Sequence, residues 1–132
     1  MNIRTALVEE YDARRRRNRR YSIRAYARFL GTHHSTLSQL LNGRRRMTSR
    51  TIRHLGPRLG LSAEQIALAC EEENCETLVR LLSDQRFRPN TRWIAMMIGV
   101  PVDAVNISIQ RLLCERRMSM RSTTTWIEAI PE

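Results

Sequence analysis

His34, Ser35 and Gln39 fall within one run of the chain, Ala27-Arg28-Phe29-Leu30-Gly31-Thr32-His33-His34-Ser35-Thr36-Leu37-Ser38-Gln39-Leu40-Leu41-Asn42-Gly43-Arg44. The Gln39 amide can pair with adenine N6 and N7 together, and the imidazole and hydroxyl at 34 and 35 can bond several base edges. On one short helix these side chains predict hydrogen-bond reading of a DNA major groove. Arg44, Arg45 and Arg46 follow directly, and Arg14 to Arg20, Arg24 and Arg28 precede. A guanidinium can grip a phosphate with two hydrogen bonds. Such contacts give affinity, whereas base edges give sequence preference. The competing reading of an arginine run is a solvated surface.

The charge is unevenly spread. The net charge is +10, and all 23 basic residues are Arg. Residues 1–60 hold fifteen Arg against Glu9, Glu10 and Asp12, whereas residues 61–132 hold eight Arg against ten acids. That split predicts that one half faces a polyanion. Nothing predicts an enzyme, a metal or a cofactor. Cys70, Cys75 and Cys114 lack paired spacing and are expected reduced and buried. His33 and His34 are adjacent, and Ser35 beside them has no nearby acid. Glu71-Glu72-Glu73 reads as a solvated patch, and no Gly-rich phosphate loop is present. No apolar stretch reaches the roughly 20 residues needed to span a bilayer. Met1 to Glu10 lacks the apolar core of a secretory signal. No membrane partner is expected, and the expected location is cytoplasmic, at the nucleoid.

The elements that must position these residues are helices. Ile3, Leu7 and Tyr11 predict a first helix over 3–16. Ser22 is the expected N-cap of a second, through Leu30. Ala27 is small where two helices cross, Gly31 turns the chain, and Leu37 and Leu40 pin a helix over 34–41. This is helix-turn-helix spacing. Asn42-Gly43 stops the third helix, and a fourth begins near Thr48 or Ser49 until Pro57 kinks or ends it. Ser62 with Gln65 forms a capping box for the fifth, with Ile66, Leu68, Ala69 and Cys70 inward. Glu71 to Asn74 breaks the apolar pattern, and Thr77 to Leu82 forms another short helix.

Asp84 to Asn90 reads as a linker, which divides the chain into 1–83 and 84–132. The second part repeats the first. Ile94 to Gly99 matches Tyr26 to Gly31 at an offset of 68, and Val105 matches Leu37. Asn90 caps its first helix, and a second over 102–116 turns Val105, Ile109, Leu112 and Leu113 inward. Met118 and Met120, then Thr124 and Trp126, predict two strands joined near Arg121-Ser122-Thr123. Trp93 and Trp126 are expected in the core.

The span from Ser22 to Ser62, "LGTHHSTLSQLLNGRRRMTSRTIRHLGPRLGLS", resembles the Cro/C1-type helix-turn-helix family. The whole chain, with "RPNTRWIAMMIGVPVDAVNISIQRLLCERRMS", is similar to a bacterial family first noted in Fibrobacter and Bdellovibrio, which joins such a domain to a winged helix. The resemblance implies a mainly α fold: a five-helix Cro/C1-like bundle, then a small winged helix with a short β-hairpin. It implies base contact by His34, Ser35 and Gln39, and phosphate contact by Thr36, Asn42 and Gly43. Gly56-Pro57 departs from the family, where the fourth helix usually continues.

Ser22, at a helix N-terminus, and Arg24, Arg28, Arg44, Arg45 and Arg46 complete the expected phosphate contacts. In the second part, Asn106, Ile107, Arg111, Arg117 and Arg121 form a second surface, for DNA or for a partner. Val102 and Asp103 lie on the same face, and Asp103 opposes phosphate. The expected function is a bacterial or phage transcription regulator that binds double-stranded DNA specifically. The winged helix then either makes a homodimer or protein contact or touches adjacent DNA. The alternative is a protein-interaction module, an antitoxin or adaptor, on a helix-turn-helix scaffold.

Overall fold

The computed structural model describes residues 2–121 and 126–128, which are mainly helical. They divide into two compact units, Met1–Cys70 and Glu71–Glu132.

In the first unit, α1 (Ile3–Arg17) starts where Asn2 Oδ1 accepts from the amides of Arg4 and Thr5. It buries Ile3 and Leu7. Helix α2 (Ile23–Leu30) starts at Ser22, whose Oγ accepts from the Ala25 amide at 3.1 Å. It buries Tyr26, Ala27 and Leu30. It stops at Gly31, at φ 71°, a left-handed turn that costs a residue with a Cβ. Helix α3 (His34–Leu41) lies across a three-residue turn and buries Leu37 and Leu40. Thr48 caps α4 (Ser49–Leu55), which buries Ile52 and Leu55. Gly56 follows, where an added Cβ would lie 2.6 Å from Ile66 Cγ1. A short 3-10 turn, Pro57–Leu59, ends this stretch as Pro57 predicts.

Tyr26 ties α1 to α2. Its hydroxyl, fully buried, donates to the Leu7 carbonyl at 2.7 Å, and its ring stacks on Tyr11 at 5.2 Å. Burial pushes the phenol far above its ordinary range, so it remains a donor. Tyr26→Phe keeps the ring and removes this buried hydrogen bond, while the Leu7 carbonyl keeps its partner within α1. It is expected to cost about 1 kcal/mol, read as a lower urea midpoint with unchanged slope.

Helix α5 (Ala63–Leu82) opens on the expected capping box: the Ser62 amide donates to Gln65 Oε1 at 2.9 Å, and the Gln65 amide to Ser62 Oγ at 3.1 Å. The helix runs unbroken through Glu71 to Asn74, contrary to the expected break there. Losing an apolar stripe changes which face a helix buries, and glutamate is itself a good helix former. Ala69 and Cys70 join the first core, and Cys75, Leu78 and Val79 the second. The units therefore divide within α5, whereas the linker reading of Asp84 to Asn90 puts the division at 83/84. Leu68 is 47% exposed rather than inward, because Ala69 and Cys70 already occupy the buried side of that turn.

In the second unit, Asn90 Oδ1 caps α6 (Thr91–Ile98) by accepting from the Arg92 and Trp93 amides. Gly99-Val100-Pro101 leads into α7 (Val102–Cys114), and the axis turns by 104° between the two helices. Val105, Ser108, Ile109 and Leu112 are buried on α7, while Leu113 packs partly buried against the same core. Cys114 is exposed, contrary to expectation, because it continues the outward stripe of Asp103, Ile107 and Gln110. Strand β1 (Met118–Met120) pairs antiparallel with β2 (Trp126–Glu128), Met120 opposite Trp126. Trp93 and Trp126 pack against the core, each with its ring centroid 5.8 Å from that of Phe87. Ser122, Thr123 and Thr124 lie outside the described residues.

Candidate nucleic-acid interface

Helix α3 is buried on one side only. Leu37 and Leu40 face the core, and Ser35, Gln39 and Asn42 form an exposed stripe at i, i+4 and i+7. Ser35 and Gln39 thus share the outward face that reading requires. His34 lies half-buried beside it, stacked on His33 at 4.6 Å. With Arg24, Ala27, Arg28 and Thr32, His34 lines an open concavity of about 410 Å³ between α2 and α3. His34 therefore stands with two of the expected phosphate-binding arginines.

The start of α3 is held by a residue that sequence reading passed over. His33 Nδ1 accepts from the Ser35 amide and lies 2.7 Å from Ser35 Oγ. An accepting Nδ1 makes the Ser35 hydroxyl the donor. That leaves the lone pairs of Ser35 Oγ for an outside donor, such as the amino group of adenine or cytosine.

Distant side chains fix the start of the turn and the far end of α3. His54 Nε2 donates to the Gly31 carbonyl at 2.9 Å, and Arg58 donates to the Phe29 carbonyl at 2.6 Å. Both satisfy carbonyls around the α2 C-terminus, which the helix leaves without partners. At the far end of α3, Arg4 Nε donates to the Leu40 carbonyl at 3.1 Å. These bonds join positions 23, 29 and 36 residues apart, so no local pattern discloses them.

The expected phosphate contacts divide into two kinds. Arg24, Arg28, Arg44 and Arg46 are exposed, as are Asn42 and Gly43. Gly43 sits at φ 74°. Ser22 is exposed with its oxygen engaged in the cap, and Thr36 is half-buried and accepts from Arg45 at 3.1 Å. In the arginine collar, Arg14 is structural. It bonds Glu10 at 2.9 Å and Tyr21 at 3.3 Å, and its guanidinium lies 3.8 Å from the Phe29 ring centroid. Arg15, Arg16, Arg17, Arg19 and Arg20 are exposed. No carboxylate side chain occurs between Asp12 and Glu64, a span holding fourteen arginines.

The second unit differs. Asn106, Ile107 and Arg121 are exposed. Arg111 is ion-paired with Glu115 at 3.0 Å, Glu71 at 3.6 Å and Glu72 at 3.8 Å. The Glu115 hydrogen bond leads the interactions that hold its guanidinium more firmly protonated. Arg117 pairs with Glu76 at 2.7 Å and with Glu115 at 3.9 Å. Both cations are locally neutralised by carboxylates, an arrangement that counting charges along the sequence does not disclose.

Among the described residues no cluster of His, Cys, Asp and Glu could hold a metal ion, and no single helix is long and apolar enough to cross a membrane. No protein-family model, curated protein or solved structure matches the chain.

Proposed function

We propose that this protein binds double-stranded DNA through its first unit and reads sequence with α3, as a regulator of transcription. One observation carries the reading: the exposed Ser35–Gln39–Asn42 stripe projects from a helix pinned by Leu37 and Leu40, within a carboxylate-free stretch rich in arginine. A major groove admits one α-helix, and its base edges present the donors and acceptors that Gln39 and Ser35 complement. The order α2, glycine turn, α3 agrees with a Cro/C1-like helix-turn-helix.

In the second unit, the three-residue connection and the 104° bend between α6 and α7 fit helix-turn-helix geometry, and the β1–β2 hairpin after α7 fits a wing. Its outward α7 face has little to offer a phosphate backbone. Arg111 and Arg117 are committed to glutamates, while Val102 is 36% and Ile107 53% exposed. That surface suits contact with a second copy of the chain, since it presents apolar groups and little charge to oppose itself.

Selection of bound duplexes from a random pool tests the reading. The expected result is a consensus, with paired half-sites about 34 Å apart if a two-fold dimer binds. Gln39→Ala is expected to flatten one column of that consensus, with about a tenfold loss on the preferred duplex and little change on random DNA. Equal losses on both would remove Gln39 from base reading. Retention of a protein partner without any duplex at low salt would favour the adaptor alternative.

A further inference from the structure

The loop after α3 folds back onto it. Gly43, in the left-handed conformation, reverses the chain, and the amides of Arg44 and Arg45 both donate to the Gln39 carbonyl, at 2.9 and 3.2 Å. Arg4 reaches the Arg45 carbonyl at 3.4 Å while also holding Leu40. The backbone of Arg45 is thus tied over the last turn of α3. Its guanidinium bonds Thr36 Oγ1, almost one turn back from Gln39. The side chain therefore spans from the level of Gln39 to that of Thr36 and is still exposed.

We propose that Arg45 is a base-reading residue that recognises guanine in the major groove, with Thr36 as its positioning residue. This rests on the DNA-reading assignment above. It moves Arg45 out of the phosphate contacts, where its place in the arginine run alone would put it. A phosphate anchor projects from the margin of the interface toward the backbone. Arg45 is laid against the reading helix at two levels. One NH group is occupied by Thr36, and the other N–H groups remain for the O6 and N7 acceptors of guanine, a pair that a guanidinium matches in geometry. Fixing a long side chain before binding also reduces the rotamer entropy lost when it docks. Arg44 and Arg46, on either side of it, are left to the backbone.

The test pairs a protein change with a base change. After selection, each guanine of the consensus is replaced singly by 7-deazaguanine, which lacks the N7 acceptor. Wild-type protein is expected to lose about tenfold in affinity at one guanine. Arg45→Ala should lose a similar factor on the intact duplex and nothing further on that substituted one. Thr36→Val should weaken the preference at the same position only, with the salt dependence unchanged. The proposal is overturned if Arg45→Ala weakens every duplex alike, substituted or not, and makes the salt dependence shallower by about one phosphate contact. It is also overturned if no single guanine responds in the wild-type protein, a result that does not depend on any variant folding. Failure of the wild-type protein to select a consensus removes the DNA-reading assignment itself, which distinguishes the two failures.

Discussion

Raising salt from about 50 to about 200 mM is expected to weaken the protein's hold on its preferred duplex roughly a thousandfold. The size follows from the number of phosphates engaged. Arg24, Arg28, Arg44 and Arg46 are exposed around α3, and the exposed arginines at the end of α1 add to the same unit. If about six of these cations meet phosphates, six condensed counterions leave the DNA, and the affinity falls with a log–log slope near −5. The absence of carboxylates between Asp12 and Glu64 leaves no acidic side chain within that stretch to offset the field. Fluorescence anisotropy with a labelled duplex at several salt concentrations gives the slope directly. A slope near −1 would mean that the arginines are a solvated surface, and the proposed docking would fall with it. The same series on random duplex should have a comparable slope and a lower intercept, because phosphate contacts carry no sequence information.

Some parts of this architecture could be seen in the sequence because they are local. Ser22, Thr48, Asn90 and the Ser62–Gln65 pair cap their helices as their side-chain chemistry predicts. The two glycine turns, at 31 and 99, and the spacing of Leu37 and Leu40 needed only near neighbours in the chain. Glu71 to Asn74 was misleading for a physical reason. A polar patch inside a helix and a break in a helix look alike in an apolar pattern, and only packing distinguishes them. The continuity of α5, with its apolar residues shared between two cores, follows from that packing.

The candidate site was legible as a set of residue types and not as an arrangement. His34, Ser35 and Gln39 read as one group, yet Ser35 and Gln39 share a stripe while His34 lines the concavity with Arg24 and Arg28. The residues that hold α3 in place, Arg4, His33, His54 and Arg58, carry no motif. Three of them act across long loops, and histidine is an uncommon cap. Arg111 and Arg117 show the opposite problem. They count as positive charge along the chain, but the fold sets Glu71, Glu72, Glu76 and Glu115 against them. Net charge therefore marks the basic half of the chain, and tertiary geometry determines which cations stay turned outward.

Leu37→Ala is expected to lower the melting point of the first unit by roughly 15 °C and leave the second unit's unchanged. Leu37 is fully buried and holds the inner side of α3. Removing three carbons from a close-packed site loses their transfer energy and leaves a void, together about 3 kcal/mol. A unit of about this size has only roughly 5 kcal/mol of net stability, and each kilocalorie moves its midpoint by about 5 °C. The chain supplies separate reporters for the two units. All three tyrosines, Tyr11, Tyr21 and Tyr26, lie in the first unit and contact one another, and both tryptophans, Trp93 and Trp126, pack in the second core. The tyrosine near-ultraviolet signal should therefore melt early in the variant, while tryptophan fluorescence follows the wild-type curve. Duplex binding should be lost with the tyrosine transition. Coincident loss of both signals at the lower temperature would show that the two cores unfold together through α5, and that binding cannot be assigned to the first unit by this route. Binding that outlasts the tyrosine transition would mean that α3 does not need the support of Leu37 to engage DNA, contrary to the physical basis of the proposed interface.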